Sequence, residues 1–310
     1  MRTAPSNRRP PVFGLLGLLC VLLALPLLAQ GEAEAPAGEP AAEAPAGPEV
    51  VVVALRSPIH PVSAEILDDA VREAESRNAA ALVVELDTPG GLMTSMRTMI
   101  QSIFASRVPV VVYVAPSGAQ AASAGFFLLM AADIAAMAPG TNAGAAAAVT
   151  AEGGDIEGTM GEKVEQDSRA QIRSLAKRSG RNVELAEAAV TEARSYDADQ
   201  ALEEGLIEVI APTLADLLQE IDGRTVEAAG GDEMILRTAR AVITRVEATP
   251  FQRARGILAK PDIALLLLSI GSLGLMMELY NPGAIFPGVV GAICLILGFY
   301  SLSVLPINAA

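Results

Sequence analysis

The sequence has no tryptophan, one histidine and two cysteines among its 310 residues. Cys20 and Cys294 lie in apolar segments near the two ends, so the region between them holds no cysteine pair and no thiol nucleophile. Because His60 is the only histidine, that region also lacks the usual ligands of a zinc site. We therefore expect no metal and no cofactor. The formal net charge of −14 gives no reason to expect nucleic acid as a partner.

Residues 1–29 have the pattern of a secretory signal peptide. Three arginines precede an apolar run over residues 12–28, and the small residue Ala29 follows it. The run is short for a spanning helix, so cleavage after Ala29 is the preferred interpretation and an uncleaved anchor is the alternative. Residues 30–49 contain mainly Ala, Pro, Gly and Glu and no large apolar side chain, which predicts a disordered linker.

The other end predicts a membrane anchor. Glu278 is the only charged residue of the segment 263–310, and two Pro-Gly pairs interrupt it, as expected of a transmembrane hairpin. The preceding residues 247–262 form a basic amphipathic juxtamembrane segment that suits a membrane surface. Its basic residues favour a cytoplasmic domain by the positive-inside tendency, whereas the signal peptide favours an extracytoplasmic one. We give the signal more weight and expect a cell-membrane protein whose central domain lies outside the cytoplasm.

Residues 50–246 predict a single α/β domain. Continuous apolar runs at 50–55, 81–86 and 109–114 are typical of buried strands, and helical spacing follows the first two. Buried strands that alternate with helices predict a parallel sheet covered on both faces. The same reasoning predicts a helix from about Ala121, a loop over 141–158, a helix over 162–177 and a small hairpin within 226–246.

Two segments of this domain hold candidate catalytic groups. The turn Pro89-Gly90-Gly91 follows a buried strand, and its bare backbone N–H groups suit one half of an oxyanion hole, although an ordinary turn has the same composition. Ser123 lies between small residues at a predicted helix start, where the helix N-terminus stabilises negative charge. The alternative role of Ser123 is a helix N-cap, and Ser117 is the second choice of nucleophile.

A nucleophilic serine needs a base. His60, between Ile59 and Pro61, is interpreted as structural. The chain has three lysines, of which Lys177 lies in a basic cluster and Lys260 at the membrane. Lys163 is expected in the first turn of a helix, where the helix dipole and desolvation favour a neutral amine. A Ser123/Lys163 dyad is the resulting hypothesis.

Several short motifs resemble those of a known family. They are Leu86-Asp87-Thr88-Pro89-Gly90-Gly91, Ala121-Ala122-Ser123-Ala124-Gly125, Met137-Ala138-Pro139-Gly140-Thr141, Ser174-Leu175-Ala176, Ser179-Gly180-Arg181-Asn182, and Pro282-Gly283, Pro287-Gly288 and Leu305-Pro306-Ile307-Asn308 in the membrane region. In this order they resemble the NfeD-type membrane-bound serine proteases, a group of the Clp-protease class related to signal peptide peptidase A. The resemblance implies a Clp-protease/crotonase-like fold followed by transmembrane helices.

The resemblance also implies roles for individual residues. Ser123 falls on the family nucleophile and Lys163 on its lysine base, while the backbone of Gly90, Gly91 and Ala124 falls on the oxyanion hole. It implies a stomatin-like membrane protein, cleaved in apolar stretches, as substrate and partner, and we expect a homo-oligomer. Long family members continue with more membrane helices and a small soluble β-barrel. The sequence to Ala310 includes neither, so a naturally short member and a truncated one both remain open.

The sequence therefore predicts a membrane-anchored serine endopeptidase. Two alternatives belong to other classes. One is a non-catalytic membrane scaffold that organises a stomatin-like partner, and the other is a crotonase-like acyl-CoA enzyme, since that class shares the fold. An intact dyad argues against the scaffold, and a secretory signal without a basic nucleotide patch argues against the acyl-CoA enzyme.

Overall fold

The structure, a computed structural model, describes residues 47–148, 154, 158–227, 233–280 and 285–304. The predicted signal peptide, most of the predicted linker and part of the predicted loop 141–158 lie outside the described residues. In chain order the elements are β1 Glu49–Leu55, α1 Pro61–Ser76, β2 Ala81–Leu86, α2 Met93–Ala105, β3 Val110–Val114, β4 Gln120–Ala122, α3 Ala124–Ala131, β5 Ile134–Met137, β6 Asn142–Gly144, α4 Gly158–Arg178, α5 Val183–Thr191, β7 Ser195–Asp197, α6 Ala198–Glu203, β8 Val209–Ile210, α7 Leu214–Glu220, β9 Thr225–Glu227, β10 Glu233–Ile235, β11 Val242–Val246, α8 Pro250–Leu258, α9 Pro261–Tyr280 and α10 Ile285–Val304.

A six-stranded parallel sheet forms the centre, in the order β11-β1-β2-β3-β5-β8. Alternate residues of each strand point to opposite faces, so the sheet has two separate apolar cores. Val51 and Val84 pack under α1 to α5 on one face, while Val52 and Val83 pack under α7 on the other. The predicted α/β class with a parallel sheet is confirmed.

A small second sheet, in the order β4-β6-β7, lies at the carboxyl ends of the main strands. The turn after β2 forms two isolated β-bridges. Thr88 pairs with Ala121 of the small sheet, and Gly91 pairs with Ile59 in the connection between β1 and α1. Because loops after parallel strands meet at one sheet edge, this sheet collects the segments that hold Gly90, Ser123 and Gly144.

Two predicted helix starts were wrong, and the predicted hairpin forms with one strand fewer than the segment 226–246 contains. Helix α3 begins at Ala124 rather than Ala121, because residues 120–122 pair with β6 as a strand. Helix α4 begins at Gly158 rather than residue 162. A hairpin does form between β9 and β10, but β11 joins the main sheet beside β1, since its register with Glu49–Val53 extends the parallel ladder.

Helices α9 and α10 pack against each other through glycines. A Cβ at Gly274 would lie 2.5 Å from the carbonyl oxygen of Pro287, and one at Gly291 would lie 2.8 Å from that of Gly271. Small residues let apolar helices approach this closely. Among the described helices, α9 is the one whose length and composition suffice to cross a membrane, over Asp262–Tyr280, and the apolar part of α10, Phe286–Leu302, is shorter.

Candidate active site

Ser123 has a strained backbone at the junction of β4 and α3. Its φ of 51° and ψ of −117° lie in a region that non-glycine residues rarely adopt. Its N–H donates to the carbonyl oxygen of Gly144 at 2.9 Å, and its carbonyl accepts from Phe126 N–H at 3.0 Å. The side chain makes no helix-cap hydrogen bond. The N-cap alternative therefore does not account for this serine, because its hydroxyl is left for another role.

The turn after β2 lies directly against Ser123. Gly90 has a φ of 115°, and a Cβ on it would come within 2.6 Å of the Ser123 Cβ. Position 90 therefore requires glycine for both backbone conformation and space. The Gly90 N–H contacts the Thr88 hydroxyl at 3.2 Å, so it is not the free donor of this turn.

The neighbouring residue Gly91 has the free N–H. Ile59 N–H donates to the Gly90 carbonyl at 2.7 Å, and Leu92 N–H donates to the Ile59 carbonyl at 2.9 Å. In a parallel bridge of this kind, the N–H and C=O of the middle residue point away from the partner strand. Gly91 is exposed, and its N–H donates to no acceptor among the described residues. It is thus available to a substrate carbonyl or to an extended peptide.

Ala124 is the second candidate donor. As the first residue of α3, it has an N–H without an intrahelical acceptor, and the positive helix end adds to its field. No hydrogen bond from this N–H occurs within the described part of the chain. Ser123 is therefore followed directly by one free backbone donor, at Ala124, and lies against the turn that holds the other, at Gly91.

Thr88 connects the two halves of the site, a role that the sequence did not suggest. It is fully buried, and its hydroxyl contacts both the N–H and the carbonyl of Gly90, at 3.2 and 3.1 Å. Its methyl group would lie 2.6 Å from a Cβ on Gly125, the second residue of α3. Its backbone pairs with β4. Thr88 follows a buried strand and Gly125 lies two residues after Ser123. No pattern in the sequence indicates that these two residues are in contact.

Arg181 positions the other end of α3. Its buried guanidinium donates to the carbonyls of Leu129, Met130 and Ala132 and forms an ion pair with Glu208. A cation at a helix C-terminus opposes the negative end of the dipole and satisfies carbonyls that lack intrahelical donors. The contact gives the sequence motif around Arg181 a physical role, since it holds the helix whose first turn follows Ser123.

His60 caps α1. Its Nδ1 accepts from Ser63 N–H at 3.3 Å, and Ser63 Oγ accepts from His60 N–H at 2.8 Å, which forms a reciprocal capping box. Burial lowers the pKa of His60 below 6.5, although Glu65 opposes the shift, so the ring is neutral at pH 7. This geometry fits the structural interpretation of His60.

Lys163 lies in the second turn of α4, not in the first, and it is exposed. The expected desolvation of its amine is therefore absent. Its ammonium forms no hydrogen bond or ion pair with another described residue, and the structure does not bring it into contact with Ser123. The sequence-predicted residues Ser123, Gly90, Gly91 and Ala124 are brought together, whereas Lys163 is not.

The direction of α4 places Lys163 towards the start of α2. Asp167 of α4 pairs with Arg97 near the start of α2, and the Arg178 guanidinium lies 3.9 Å over the Phe104 ring near the end of α2. Later residues of one helix contact later residues of the other, so the two helices run in the same direction. Lys163, one turn before Asp167, therefore lies towards the start of α2, which follows Gly91.

Helix α4 is held by an arginine pair. Glu187 of α5 accepts from Arg169 at 2.7 Å and from Arg173, and these hydrogen bonds, chiefly the one from Arg173, lower the pKa of Glu187 to about 2. The pair fixes the middle of α4, while its first ten residues lack a fully buried side chain. The Lys163 end is thus the less supported part of the helix.

Two family models match this chain. The model of the NfeD1b N-terminal domain matches residues 49–222, and that of the NfeD integral membrane domain matches residues 262–310. The chain belongs to the NfeD family. The resemblance drawn from its motifs is confirmed, and the second match supports a location in the membrane.

Two curated relatives are similar to this NfeD chain. It is 34% identical over 265 residues to the membrane-bound protease PH1510 of Pyrococcus horikoshii and 28% identical over 264 residues to the membrane protein NfeD1b of Bacillus subtilis. The alignments cover 84% and 81% of this chain but only 60% and 55% of those relatives. The chain thus spans less than two thirds of the length of either protein.

Solved structures of the 1510-N membrane-bound stomatin-specific protease share the fold. A lysine-to-alanine mutant in complex with a substrate peptide has a TM-score of 0.65 at 32% identity, and covers 69% of this chain and 98% of its own. A serine-to-alanine mutant has a TM-score of 0.62 at 33% identity, and covers 66% of this chain and all of its own. The similarity confirms the fold predicted from the motifs.

Proposed function

We infer that this NfeD chain is a membrane-anchored serine endopeptidase. The observation that carries the proposal is the Ser123 backbone, which is held at a strained φ against the Gly90-Gly91 turn, with free N–H groups at Gly91 of that turn and at the next residue, Ala124. Strain of this kind persists only where the surrounding structure imposes it, and it is common at catalytic sites. A membrane scaffold would not require it. The relative PH1510, named a protease, supports the same reaction.

In the proposed reaction, the Ser123 hydroxyl attacks a peptide carbonyl while Lys163 accepts its proton. The N–H groups of Gly91 and Ala124 stabilise the oxyanion as it forms. Lys163 then gives the proton to the leaving amine, and a water molecule, deprotonated in the same way, hydrolyses the acyl-enzyme and releases Ser123. No metal or other cofactor takes part in these steps.

Two observations support Lys163 as the base. The first is that α2 and α4 run in the same direction, so the half of α4 that contains Lys163 lies towards the start of α2, which follows Gly91. In the 1510-N protease, the mutated serine and lysine have a sequence separation that differs by a single residue from that between Ser123 and Lys163. Since Lys163 is exposed here, the exposed first turns of α4 must move inward, or be covered, when substrate binds.

The proposed substrate is an apolar segment of a stomatin-like membrane protein. The structures called stomatin-specific are its relatives, and an exposed Gly91 edge accepts an extended peptide by strand addition. We propose that the domain lies outside the cytoplasm and acts as a homo-oligomer. Protease added to intact spheroplasts should then digest residues 31–246, and their protection beside a digested extracytoplasmic control would contradict this topology.

The decisive experiment compares two serines. Ser123→Ala should abolish both peptide cleavage and labelling by a fluorophosphonate probe, whereas Ser117→Ala, in an exposed loop, should change neither. Circular dichroism should show the same fold for both variants. Labelling that survives in Ser123→Ala and disappears in Ser117→Ala would assign the nucleophile to Ser117. A native chain without any labelling or cleavage would favour the scaffold.

A further inference from the structure

Helix α8 has an inverted amphipathic arrangement. Its polar side chains face the protein, since Gln252 is only 8% exposed and donates to Asp69 of α1 at 2.7 Å. Arg255 forms a bidentate pair with Glu65 of α1, at 2.7 and 3.0 Å. Its apolar side chains face outward, with Phe251 70% and Ile257 54% exposed. A helix that packs only against a soluble domain shows the opposite order.

The helix is also joined to both membrane helices. Residues 259 and 260 alone separate α8 from α9, and Ser301 of α10 donates to the Leu258 carbonyl. Arg255 donates a hydrogen bond to the Tyr300 oxygen of α10. Since α9 is the candidate membrane span, α8 must lie where that span leaves the bilayer. The basic residues Arg253 and Lys260 are exposed there as well.

We propose that α8 lies in the lipid interface, with Phe251 and Ile257 inserted at the headgroup boundary. Its contacts with α1 then hold the catalytic domain in one orientation on the membrane. An amphipathic helix binds lipid in this way through its apolar face and its basic residues. The occupant of the exposed face is the bilayer because the face is continuous with α9.

The orientation brings the active-site turn close to the membrane surface. Helix α1 begins at Pro61, two residues after Ile59, whose backbone pairs with the Gly90-Gly91 turn. From Pro61 to Asp69 the helix axis rises about 12 Å. The two contacts of α8, at Glu65 and Asp69, therefore lie within about 12 Å of the end of α1 that adjoins the Gly90-Gly91 turn. A substrate segment would then reach the site at a short distance from the membrane surface.

The absence of tryptophan from the chain makes a direct test possible. The full-length protein carrying Phe251→Trp should be reconstituted in phosphatidylcholine and phosphatidylglycerol vesicles that contain lipid brominated in the acyl chain near the headgroup. Its fluorescence should be strongly quenched, as should that of Leu266→Trp on α9. Leu202→Trp on α6 should not be quenched, because α6 precedes the far edge strand β8, five strands or about 24 Å from β11.

Two results would overturn the proposal. If the fluorescence of Leu266→Trp is quenched and that of Phe251→Trp is not, α8 is not in contact with lipid. A blue-shifted but unquenched Phe251→Trp would show that protein, such as a second copy of the chain, covers the face. Neither result depends on peptidase activity, so this test and that of the proposed function can fail separately.

The orientation has its own measurement. Energy transfer to a dansyl headgroup lipid should be stronger from Met93→Trp, beside Gly91, than from Leu202→Trp. Adding Arg255→Gln, which removes the charge pair with Glu65, should reduce the transfer from Met93→Trp. Equal transfer from the two reporters, or no effect of Arg255→Gln, would contradict a fixed orientation.

Discussion

A Cβ on Gly90 would lie 2.6 Å from the Ser123 Cβ and 3.1 Å from its Oγ. Gly90→Ala should therefore displace the nucleophile and lower kcat by about 100-fold, since small misplacements of reacting groups have effects of this order. Gly118→Ala is the matched control. Gly118 also has a positive φ, of 87°, but no atom lies within 4 Å of its added Cβ. Activity should survive Gly118→Ala, and equal losses in both variants would attribute the effect to backbone strain alone.

Thr88 should act as a positioning residue. Thr88→Val keeps the shape but removes the hydroxyl contacts with Gly90, so kcat should fall about tenfold with KM little changed, and the unpaired Gly90 groups should cost about 1–3 kcal/mol of stability. Thr88→Ser keeps the hydroxyl and should restore kcat. Steady-state kinetics and thermal melts of both variants provide the measurement. A Thr88→Ser variant as impaired as Thr88→Val would assign the role to the methyl contact with Gly125.

Lys163 should be required as a base. Lys163→Arg should lose at least about 100-fold in kcat, because a guanidinium does not release its proton in the working pH range. Lys177→Arg, in the last turn of the same helix, should be fully active. An active Lys163→Arg variant would exclude lysine as the base.

His60 should affect stability and leave catalysis intact. Because burial lowers the pKa of the folded-state imidazole below 6.5, the folded state binds fewer protons than the unfolded state. The stability from this residue is complete above about pH 6.5 and is lost as the pH falls below it. His60→Asn keeps an N-cap acceptor but does not titrate.

The measurement is the difference in melting temperature between the native chain and His60→Asn as a function of pH. It should be constant above pH 6.5 and shift in favour of His60→Asn below it. Peptide cleavage by His60→Asn should remain near the native rate. A complete loss of cleavage would indicate that His60 has a catalytic role.

The sequence determined the class of the fold and indicated the segments that form the candidate site. Buried strands such as Val50–Leu55 and Ala81–Leu86 consist of continuous apolar residues, and such runs separated by helical spacing indicate a parallel sheet. Glycines at 90 and 91 and a serine among small residues are local features, and the motifs around them resemble one family strongly. These properties depend on neighbours in the chain, so sequence alone is sufficient.

Only the tertiary structure decided which atoms meet. The strained φ of Ser123, the free N–H of Gly91 and the contact of Thr88 with Gly125 depend on bridges between segments more than thirty residues apart. The same holds for β11, which pairs with β1 although almost two hundred residues separate them. The exposure of Lys163 depends on where α4 begins and on which residues cover that end of the helix. The local sequence predicts neither property. Long-range pairing is set by the packing of the whole chain, and that is the physical reason these features could not be predicted.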